Sequence, residues 1–390
     1  MKKLVIIGGG PAGCMAAISA KTHHPEMEVI LIERNARLGE KLRLSGGGRC
    51  NISANVTNQV VIEQTPRHGR FLYASLESMN PPLIKKFFSE RGCPLVEEDH
   101  QRLFPQSHKA SDVMDVLVRE MNKLGVKIIL HTKVEHVDLK KNHIQTSETV
   151  YKFDHCIIAV GGLSYPHTGS DGELLLKMKS YLEISELYPA ETPLVSHEAF
   201  IQSKCIQGIS LKDVSLTLYI EGKKKKQVIH DLLFTHFGLS GPAALQCSSV
   251  CRDCFVKKQK VMCKLDMLPQ FKYHEVENML KTHSLKEVCL KYQLPARLIK
   301  AYEMLSIDLS EIEFLKAWPI HIHDMRGFNQ AFVTSGGVSV KEIDPKTMKS
   351  KSFPLLSVCG EALDVHSHTG GFNITIAMST GYHAGKNFKD

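Results

Sequence analysis

The sequence predicts an α/β protein that begins with a Rossmann-type dinucleotide-binding domain. Residues 4–7 form a short apolar strand, residues 8–13 form a glycine-rich turn, and residues 14–22 have the composition of a helix. A second buried strand, residues 29–32, ends at the carboxylate of Glu33, twenty positions beyond Gly13. A turn that follows a strand, opens a helix and has an acid at this distance is the context of a dinucleotide-binding motif.

The glycines of this turn have separate roles. Gly8 permits a tight turn, Gly10 lets the backbone approach a pyrophosphate, and Gly13 lets the helix lie close to the strand. The pyrophosphate would lie at the helix N-terminus, where free N–H groups favour negative charge. Glu33 would accept hydrogen bonds from ribose hydroxyls, and its carboxylate disfavours a 2′-phosphate. FAD or NAD is therefore favoured over NADP.

Length and composition indicate a globular protein of two or three domains. The chain has 390 residues, of which 43% are hydrophobic and 23% charged. No apolar run approaches the roughly 20 residues of a membrane span, and the run at residues 4–7 stops too early for a signal peptide. Eleven cysteines without dense paired spacing suit a reducing compartment. We therefore expect a cytoplasmic protein with no membrane partner.

The formal net charge of +8 permits an acidic partner. Much of the excess is local, because Lys223, Lys224, Lys225 and Lys226 follow one another between two apolar stretches. This run is typical of a solvated hairpin tip, and basic clusters alone are poorly specific for nucleic acid. Nucleic acid is therefore the less favoured partner.

The stretch 45–51, Ser-Gly-Gly-Gly-Arg-Cys-Asn, leaves two interpretations open. Three adjacent glycines let a backbone pack against a flat or phosphorylated ligand, to which Arg49 would add a fixed charge. They are equally compatible with a flexible surface loop. Cys50 beside Arg49 is also a candidate for a thiol with a lowered pKa.

The rest of the chain predicts a domain interrupted by an insertion. Residues 78–125 read as mostly helical, with Ser111 and Asp112 capping a helix that ends near Gly125. Strands follow at 126–130, 133–137 and 151–160, and the last runs into Gly161 and Gly162. The sequence pattern changes near residue 186. Beyond it, the sequence predicts alternating strands at 210–220 and 227–234 and helices near 275–282 and 296–305. Two further strands are predicted at 331–340 and 353–358.

The C-terminus predicts a second helix that opens on a glycine turn, residues 369–373. In a flavin site this helix end would face the pyrimidine side of the ring, where negative charge accumulates on reduction. Glu361 and Asp364 are placed to accept hydrogen bonds from ribityl or ribose hydroxyls. The alternative is a buried C-terminal helix whose N-terminus is capped and binds no ligand.

These motifs resemble those of the bacterial FAD-dependent proteins called aminoacetone-oxidase-like or BaiN-like flavoproteins. The resemblance covers nearly the whole chain and depends on residues 8–13, 39–51, 161–169, 234–242, 334–338, 360–364 and 370–373. It implies a glutathione-reductase-like FAD-binding domain built from residues 1–186 and 331–390, with an inserted β-rich domain plus helices at 187–330. The sequence departs from the family pattern at His366-Ser367, where Asp-Gly is common, and at Thr375-Ile376, where Gln-Trp is common.

From the motifs and the resemblance together, we predict a set of FAD-binding residues spread over both chain ends. They are Gly8, Gly10, Pro11, Ala12, Gly13, Glu33, Arg34, Lys41, Ser45, Gly46, Gly47, Arg49, Cys50, Asn51, Val134, Ala159, Gly161, Gly162, Gly360, Glu361, Asp364, Gly370, Gly371, Phe372, Asn373 and Ile374.

Three side chains are candidates for catalysis: His236, Tyr165 and Arg49. His236 would transfer a proton over the flavin, or alternatively fix its loop by hydrogen bonds. Tyr165 would donate to a substrate carbonyl, or alternatively pack near the adenine or flavin. No metal site is predicted, because no acidic third ligand is evident for the alternating pairs His321/His323 and His366/His368. Three cysteines, Cys247, Cys251 and Cys254, are spaced for one face of a helix and are better explained as buried thiols than as cluster ligands.

The predicted function is an FAD-dependent oxidoreductase that transfers a hydride between flavin N5 and a small organic substrate, hypothetically an enone. NADH or NADPH would reduce the flavin transiently, since no second glycine fingerprint is present. An amine or aminoketone oxidase that releases hydrogen peroxide, an RNA-modifying flavoprotein and an NAD-dependent dehydrogenase are the alternatives.

Overall fold

The computed structural model describes residues 2–251, 253–305 and 308–388. The chain forms two compact units, Met1–Tyr188 with Val333–Asp390, and Pro189–Phe332. The first unit thus contains both ends of the chain, and the second is the segment between them in sequence. Among the described residues, no helix combines the length and the apolar character needed to cross a bilayer.

The strands and helices are numbered in chain order. The strands are Lys3–Ile7 (β1), Glu28–Ile32 (β2), Ser53–Ala54 (β3), Leu95–Glu98 (β4), Arg102–Pro105 (β5), Lys127–Ile129 (β6), Val134–Asp138 (β7), His143–Thr146 (β8), Val150–Lys152 (β9), His155–Ile158 (β10), Ile184–Ala190 (β11), Leu194–Val195 (β12), Ser210–Ile220 (β13), Lys223–Thr235 (β14), Gly238–Ser240 (β15), Val261–Asp266 (β16), Trp318–Ile322 (β17), Asp324–Met325 (β18), Val333–Val338 (β19) and Leu356–Val358 (β20). The helices are Pro11–His23 (α1), Glu40–Leu44 (α2), Asn58–Glu63 (α3), Tyr73–Ser78 (α4), Pro81–Ser89 (α5), Ala110–Lys123 (α6), Glu173–Lys177 (α7), Ala199–Gln202 (α8), Gly241–Ser248 (α9), Tyr273–Leu280 (α10), Leu285–Lys291 (α11), Arg297–Glu303 (α12), Glu311–Ala317 (α13) and Phe372–Asn387 (α14).

A parallel sheet forms the centre of the first unit, in the strand order β20-β10-β1-β2-β6 within the described residues. Its strands are almost entirely apolar and buried, as expected for a parallel sheet covered on both faces. β1 lies between β10 and β2, with Ile7 opposite both Ile158 and Ile32. The residues that follow these three strands therefore meet at one edge of the sheet, and the predicted α/β class is confirmed.

The C-terminal helix α14 packs closely against the first helix, α1. A Cβ atom on Gly381 would lie 2.1 Å from the carbonyl oxygen of Ala12, and one on Gly385 would lie 2.1 Å from that of Ala16. A larger residue at either position would push the helices apart. Glycine at these two positions thus joins the last segment of the chain to the nucleotide-binding motif.

The prediction of mostly helical structure between residues 78 and 125 is partly wrong. Helices α5 and α6 form there, but β4 and β5 lie between them and join β3 in an antiparallel sheet. Helix α6 begins at Ala110 after Lys109, and no side chain caps its N-terminus, so Ser111 is not the cap. Short strands carry little periodicity, which explains why the sequence pattern missed them.

The second unit contains an antiparallel sheet, in the order β17-β16-β13-β14-β15-β12-β18 within the described residues. Its core includes Trp318, whose ring centroid lies 4.7 Å from those of Phe200 and Phe314. The hairpin β13–β14 turns at Glu221 and Gly222, both with positive φ. The lysine run after this turn therefore begins a strand and does not form the tip itself.

The three cysteines that were expected on one face of a helix do not share a helix. Helix α9 ends at Ser248, so Cys247 lies on it while Cys251 and Cys254 lie in the turns beyond. All three thiols are buried, as predicted. Burial raises the pKa of Cys247 to about 12, which keeps it protonated.

Candidate nucleotide-binding site

The turn after β1 has the geometry that the glycine motif predicts. Gly8 has a φ of +106°, and a Cβ atom there would lie 2.4 Å from the carbonyl oxygen of Ala159. A Cβ atom on Gly13 would lie 1.9 Å from the carbonyl oxygen of Gly8. At Gly10 a Cβ atom would meet no described atom within 4 Å. Gly8 and Gly13 are thus required by the fold, whereas Gly10 leaves open space for a ligand.

Glu33 is buried and held by backbone groups on both carboxylate oxygens. Oε2 accepts from the N–H of Gly9 at 2.7 Å, and Oε1 accepts from the N–H of Asn35 at 2.9 Å. Each oxygen retains capacity for a further hydrogen bond, as ribose binding requires. Gly9 was not predicted as functional, yet a Cβ atom there would lie 2.3 Å from Leu38 Cδ2.

The residues after Glu33 contact the segment that follows β10. The guanidinium of Arg34 forms an ion pair with the carboxylate of Asp171, and the Nδ2 of Asn35 donates to the carbonyl oxygen of Thr168 at 2.9 Å. A Cβ atom on Gly169 would lie 2.7 Å from Asn35 Nδ2. Arg34 is therefore paired within the protein, and its contact with a cofactor stays a prediction.

Lys41 and Glu361, both predicted to bind the cofactor, form an ion pair with each other. Lys41 Nζ lies 2.5 Å from Glu361 Oε2, and Glu361 Oε1 accepts from the N–H of Thr334 at 2.7 Å. The hydroxyl of Thr334 in turn accepts from the N–H groups of Leu163 at 2.7 Å and Ser164 at 2.9 Å. This network brings three distant segments together.

Thr334 is a site residue that sequence reasoning missed. It is buried, and a Cβ atom on Gly162 would lie 2.4 Å from its hydroxyl oxygen. Gly161, which has a φ of +74°, directly precedes Gly162 in the chain. In the sequence, Thr334 begins the string Thr-Ser-Gly-Gly-Val, which is one of the motifs that resemble the family. That motif alone did not indicate a role for the threonine.

Residues 45–51 form a hydrogen-bonded turn. Gly46, Gly47 and Gly48 have φ values of +57°, +68° and +86°, and the N–H of Cys50 donates to the carbonyl oxygen of Ser45 at 2.9 Å. Three successive left-handed residues require glycine. Added Cβ atoms on Gly47 and Gly48 would meet no described atom within 4 Å, so this turn also has open space beside it.

Arg49 has partners within the protein, and the thiol of Cys50 differs from its predicted chemistry. The guanidinium of Arg49 donates to Glu98 Oε1 at 2.8 Å and lies 4.3 Å from the centre of the Phe104 ring, so its charge has a partner. Cys50 is fully buried, and burial raises the pKa of its thiol to about 12. The hypothesis of a lowered thiol pKa is therefore wrong, because desolvation outweighs the lowering effect of a hydrogen bond with Ser45.

The turn 45–51 lies against the N-terminus of α14. With its amide oriented to satisfy both groups, Asn51 accepts from the N–H of Gly371 at 3.2 Å and donates to the carbonyl oxygen of Ser53 at 3.1 Å. The hydroxyls of Ser53 and Thr375 lie 2.8 Å apart. A Cβ atom on Gly371 would lie 2.4 Å from the Ser53 carbonyl oxygen. The two glycine turns predicted to enclose the flavin are thus adjacent.

Asp364 is buried and has one carboxylate oxygen without a partner. Oδ2 accepts from the hydroxyl of Ser185 at 2.8 Å and lies 3.0 Å from a guanidinium nitrogen of Arg67. Oδ1 is buried and has no hydrogen-bond partner within the described residues. A buried carboxylate oxygen without a partner is costly, and a ligand hydroxyl would satisfy it. This observation fits a cofactor with a polyhydroxyl chain.

The remaining predicted residues lie on the same unit. Pro11 begins α1, and a Cβ atom on Gly360 would lie 2.7 Å from that of Ala12. Gly370 precedes the cap of α14, and Phe372, Asn373 and Ile374 form its first turn. Val134 is buried at the start of β7.

Two of the three catalytic candidates, Tyr165 and His236, lie in different units. Tyr165 is partly buried in the first unit, with a left-handed φ of +53°, and burial raises the pKa of its phenol. His236 is exposed at the turn between β14 and β15 of the second unit. The hydroxyl of Thr235 accepts from the N–H of Gly238 at 3.1 Å and closes that turn, which argues against His236 as the residue that fixes it.

The family follows from a comparison with known proteins. The family model described as the HI0933-like protein Rossmann domain matches residues 2–387. The chain belongs to the HI0933-like family. This identification also confirms the family recognised from the sequence motifs.

Relatives of this HI0933-like protein align over nearly its whole length. It is 28% identical to the ribosomal RNA dihydrouridine synthase of Haemophilus influenzae, over 97% of this chain and 96% of the relative. It is 27% identical to the 3-dehydro-bile acid delta(4,6)-reductase of Clostridium scindens, over 99% of this chain and 98% of the relative.

Solved structures share the fold of the HI0933-like protein. An E. coli quinol fumarate reductase carrying a mutation in FrdA matches with a TM-score of 0.54 at 14% identity, over 100% of this chain and 70% of that one. An open flavocytochrome c3 fumarate reductase matches with a TM-score of 0.50 at 14% identity, over 99% and 78%. At this identity the likeness concerns the fold alone.

The predicted enzyme class is confirmed: the HI0933-like protein is an FAD-dependent oxidoreductase. FAD is the cofactor that its family binds, and the open space at Gly10 and the unpartnered oxygen of Asp364 fit it. The individual FAD contacts and the roles of Tyr165, His236 and Arg49 stay predictions.

Proposed function

We propose that this protein reduces a carbon–carbon double bond conjugated to a carbonyl group, with NADH or NADPH as the source of electrons. The observation that carries this proposal is the chemistry shared by two relatives with different substrates. One is named for making dihydrouridine and the other for reducing delta(4,6) double bonds of a 3-dehydro-bile acid. In both cases the double bond is conjugated to a ring carbonyl. The shared function is therefore the reduction of an enone-type system.

The reaction balances with two electrons and two protons. A hydride adds to the carbon β to the carbonyl, a proton adds to the α carbon, and the double bond becomes a single bond. NADH or NADPH is oxidised to NAD⁺ or NADP⁺. FAD, when bound, supplies the hydride acceptor and donor that connects these two half-reactions.

The chain's own residues would bind and orient the cofactor. The open turn at Gly10 and the backbone N–H groups at the start of α1 suit a pyrophosphate. Glu33 and the unpartnered Asp364 Oδ1 suit sugar and ribityl hydroxyls. The N-terminus of α14, beside the turn at residues 45–51, offers N–H groups and a positive dipole end to negative charge on an isoalloxazine ring.

Tyr165 is the favoured proton donor. Because burial raises the pKa of its phenol, the hydroxyl stays protonated at neutral pH and can donate to a carbonyl oxygen or to the α carbon. Its left-handed backbone supports this role, since strained conformations of non-glycine residues cluster at functional sites. Exposed His236 is the second candidate.

The test is an anaerobic titration of the FAD-loaded protein with NADH and NADPH, followed by addition of an acceptor. We expect loss of the oxidised flavin spectrum with one nicotinamide, and its return with a 4,6-dien-3-one steroid or with uridine-containing RNA. Tyr165→Phe should leave reduction by the nicotinamide unchanged and slow the return by about 10²-fold or more. The exposed Tyr73→Phe is the matched control.

Two outcomes would contradict the proposal. A flavin that neither nicotinamide reduces, but that an amine reduces with release of hydrogen peroxide in air, would indicate the aminoketone oxidase instead. A flavin reduced by NADPH and reoxidised by neither conjugated acceptor would exclude enone-type reduction.

A further inference from the structure

One end of the antiparallel sheet in the second unit carries a dense positive charge. Residues 221–226 and 253–260 contain seven lysines. The acids in these two segments are Glu221 and Asp253, so seven basic and two acidic residues leave a net charge of +5. The whole chain has a net charge of +8. Fourteen residues therefore carry most of the excess.

Hydrogen bonds hold these two segments side by side. The N–H of Glu221 donates to the carbonyl oxygen of Lys260 at 2.9 Å, and the N–H of Lys260 donates to Glu221 Oε1 at 2.6 Å. The hairpin turn is thus fixed to the end of the loop that leads into β16.

Four of these ammonium groups have no carboxylate partner in the part of the chain that the structure describes. Lys223, Lys225, Lys258 and Lys260 are exposed, and within the described residues none of them forms an ion pair. Lys257 lies 3.4 Å from a carboxylate oxygen of Asp253. Four unpaired lysines in one place repel one another, and binding to an anionic polymer would relieve that repulsion.

An aromatic ring lies within this positive region. Tyr219 on β13 is opposite Lys224 on β14 and Met262 on β16, and opposite residues of paired strands share a face. Its neighbours Leu218 and Ile220 are buried, so Tyr219 is on the outer face of the sheet. Lys264 Nζ lies 5.5 Å from the centre of the Tyr219 ring. A partly exposed ring flanked by lysines is suited to stacking on a nucleobase.

We propose that this region binds the phosphate backbone of RNA, with Tyr219 as a stacking platform. We call it the lysine surface and define it as Tyr219, Lys223, Lys224, Lys225, Lys257, Lys258 and Lys260. The inference deepens the proposed function and rests on it, because an enzyme that reduces a uracil ring within RNA must hold the polymer as well as the base. Lysines bind phosphates of any sequence, whereas the ring favours unpaired bases.

The experiment measures binding of a fluorescein-labelled, uridine-rich single-stranded RNA to the full-length, FAD-loaded protein by anisotropy at several salt concentrations. One variant replaces Lys223, Lys225, Lys258 and Lys260 with glutamine. The matched control replaces four exposed lysines elsewhere in the same unit, Lys281, Lys286, Lys291 and Lys300, and so changes the net charge equally. The flavin content and melting temperature of each variant are compared with those of the natural protein.

The lysine-surface variant should bind the RNA at least about tenfold more weakly and lower the slope of log affinity against log salt by about three, since each lysine accounts for roughly 0.7 to 1. The control should lose little affinity. Equal losses in both variants would attribute binding to net charge alone and overturn the proposal. Binding of the natural protein to phosphatidylserine vesicles but not to RNA would overturn it in favour of a lipid surface.

A steroid dienone separates failure of this inference from failure of the proposed function. If the natural protein reduces the dienone but its RNA affinity does not depend on the lysine surface, only the docking inference fails. If the protein reduces neither the dienone nor uridine, the proposed function fails whatever the RNA affinity.

Discussion

The ammonium group of Lys41 lies 2.5 Å from the carboxylate of Glu361, although 320 positions separate the two residues in the sequence. Both side chains are largely shielded from solvent, and Glu361 also accepts from the backbone of Thr334. The pair connects α2, near the start of the chain, with the segment after β20, near its end. It therefore contributes to holding the nucleotide-binding unit together before any ligand binds.

A double-mutant cycle on this pair should show coupling. Lys41→Met and Glu361→Gln should each destabilise the FAD-free protein by about 1 kcal/mol, and the double variant should lose less than the sum. The measurement is urea unfolding followed by circular dichroism, with the exposed Lys123→Met as the control. Strictly additive losses would mean that the contact contributes no net stability.

Alanine substitutions at two glycines of the first turn should impair different properties. Gly10→Ala should weaken FAD binding, whereas Gly13→Ala should destabilise the fold. Gly10→Ala places a methyl group where no described atom lies within 4 Å, so the FAD-free protein should keep its melting temperature. The same methyl group would occupy the space left for a pyrophosphate, and the affinity for FAD should fall about tenfold or more. Visible absorbance after reconstitution with FAD measures this affinity.

Gly13→Ala is the contrasting variant. Its Cβ atom would lie 1.9 Å from the carbonyl oxygen of Gly8, so β1 and α1 must separate and the protein should be destabilised even without FAD. If Gly10→Ala lowers the melting temperature of the FAD-free protein as much as Gly13→Ala does, the space at Gly10 has no functional meaning.

The sequence predicted those parts of the site that depend on local backbone geometry. Gly8, Gly13 and the triplet at residues 46–48 are dictated by positive φ or by close approach, and glycine is the signal for both. The strand pattern likewise indicated which residues follow the buried strands. Such requirements involve neighbours in sequence, so they can be read from it.

The partners of charged and polar side chains could not be predicted. Glu98 holds Arg49, Asp171 holds Arg34, and Thr334 joins Glu361 to the segment after β10. Each pair is formed by tertiary folding between residues far apart in the chain, and a lone Glu or Thr in the sequence does not indicate its partner. The same reasoning explains Cys50, whose pKa is determined by burial and not by the adjacent arginine.

Cys50 should be unreactive in the folded protein. Because burial raises the pKa of its thiol to about 12, almost no thiolate is present at pH 8, and the sulfur is also inaccessible to reagents. Labelling with iodoacetamide followed by mass spectrometry should modify the partly exposed Cys205 first and Cys50 only after unfolding. Rapid modification of native Cys50 would restore the hypothesis of a reactive thiol.

The buried His155 should make the first unit sensitive to acid. It lies in β10 with its Nε2 2.9 Å from the hydroxyl of Ser357, and burial, helped by the charge of Lys349, lowers its pKa from 6.5 to about 3. Between these two values the unfolded chain binds a proton that the folded protein does not. Stability is therefore complete above pH 6.5 and falls as the pH decreases, by about 1.4 kcal/mol per pH unit for this residue.

Replacing His155 with glutamine should reduce this acid sensitivity, because glutamine can keep the contact with Ser357 and does not titrate. Between pH 7 and pH 5 the histidine accounts for about 2 kcal/mol, or roughly 4–8 °C in melting temperature for a unit of this size. Calorimetry at the two pH values should therefore show a smaller decrease for His155→Gln than for the natural protein. The control is the exposed His136→Gln, which should show the same decrease in melting temperature as the natural protein. If this control also shows a smaller decrease, the effect comes from net charge and not from the burial of His155.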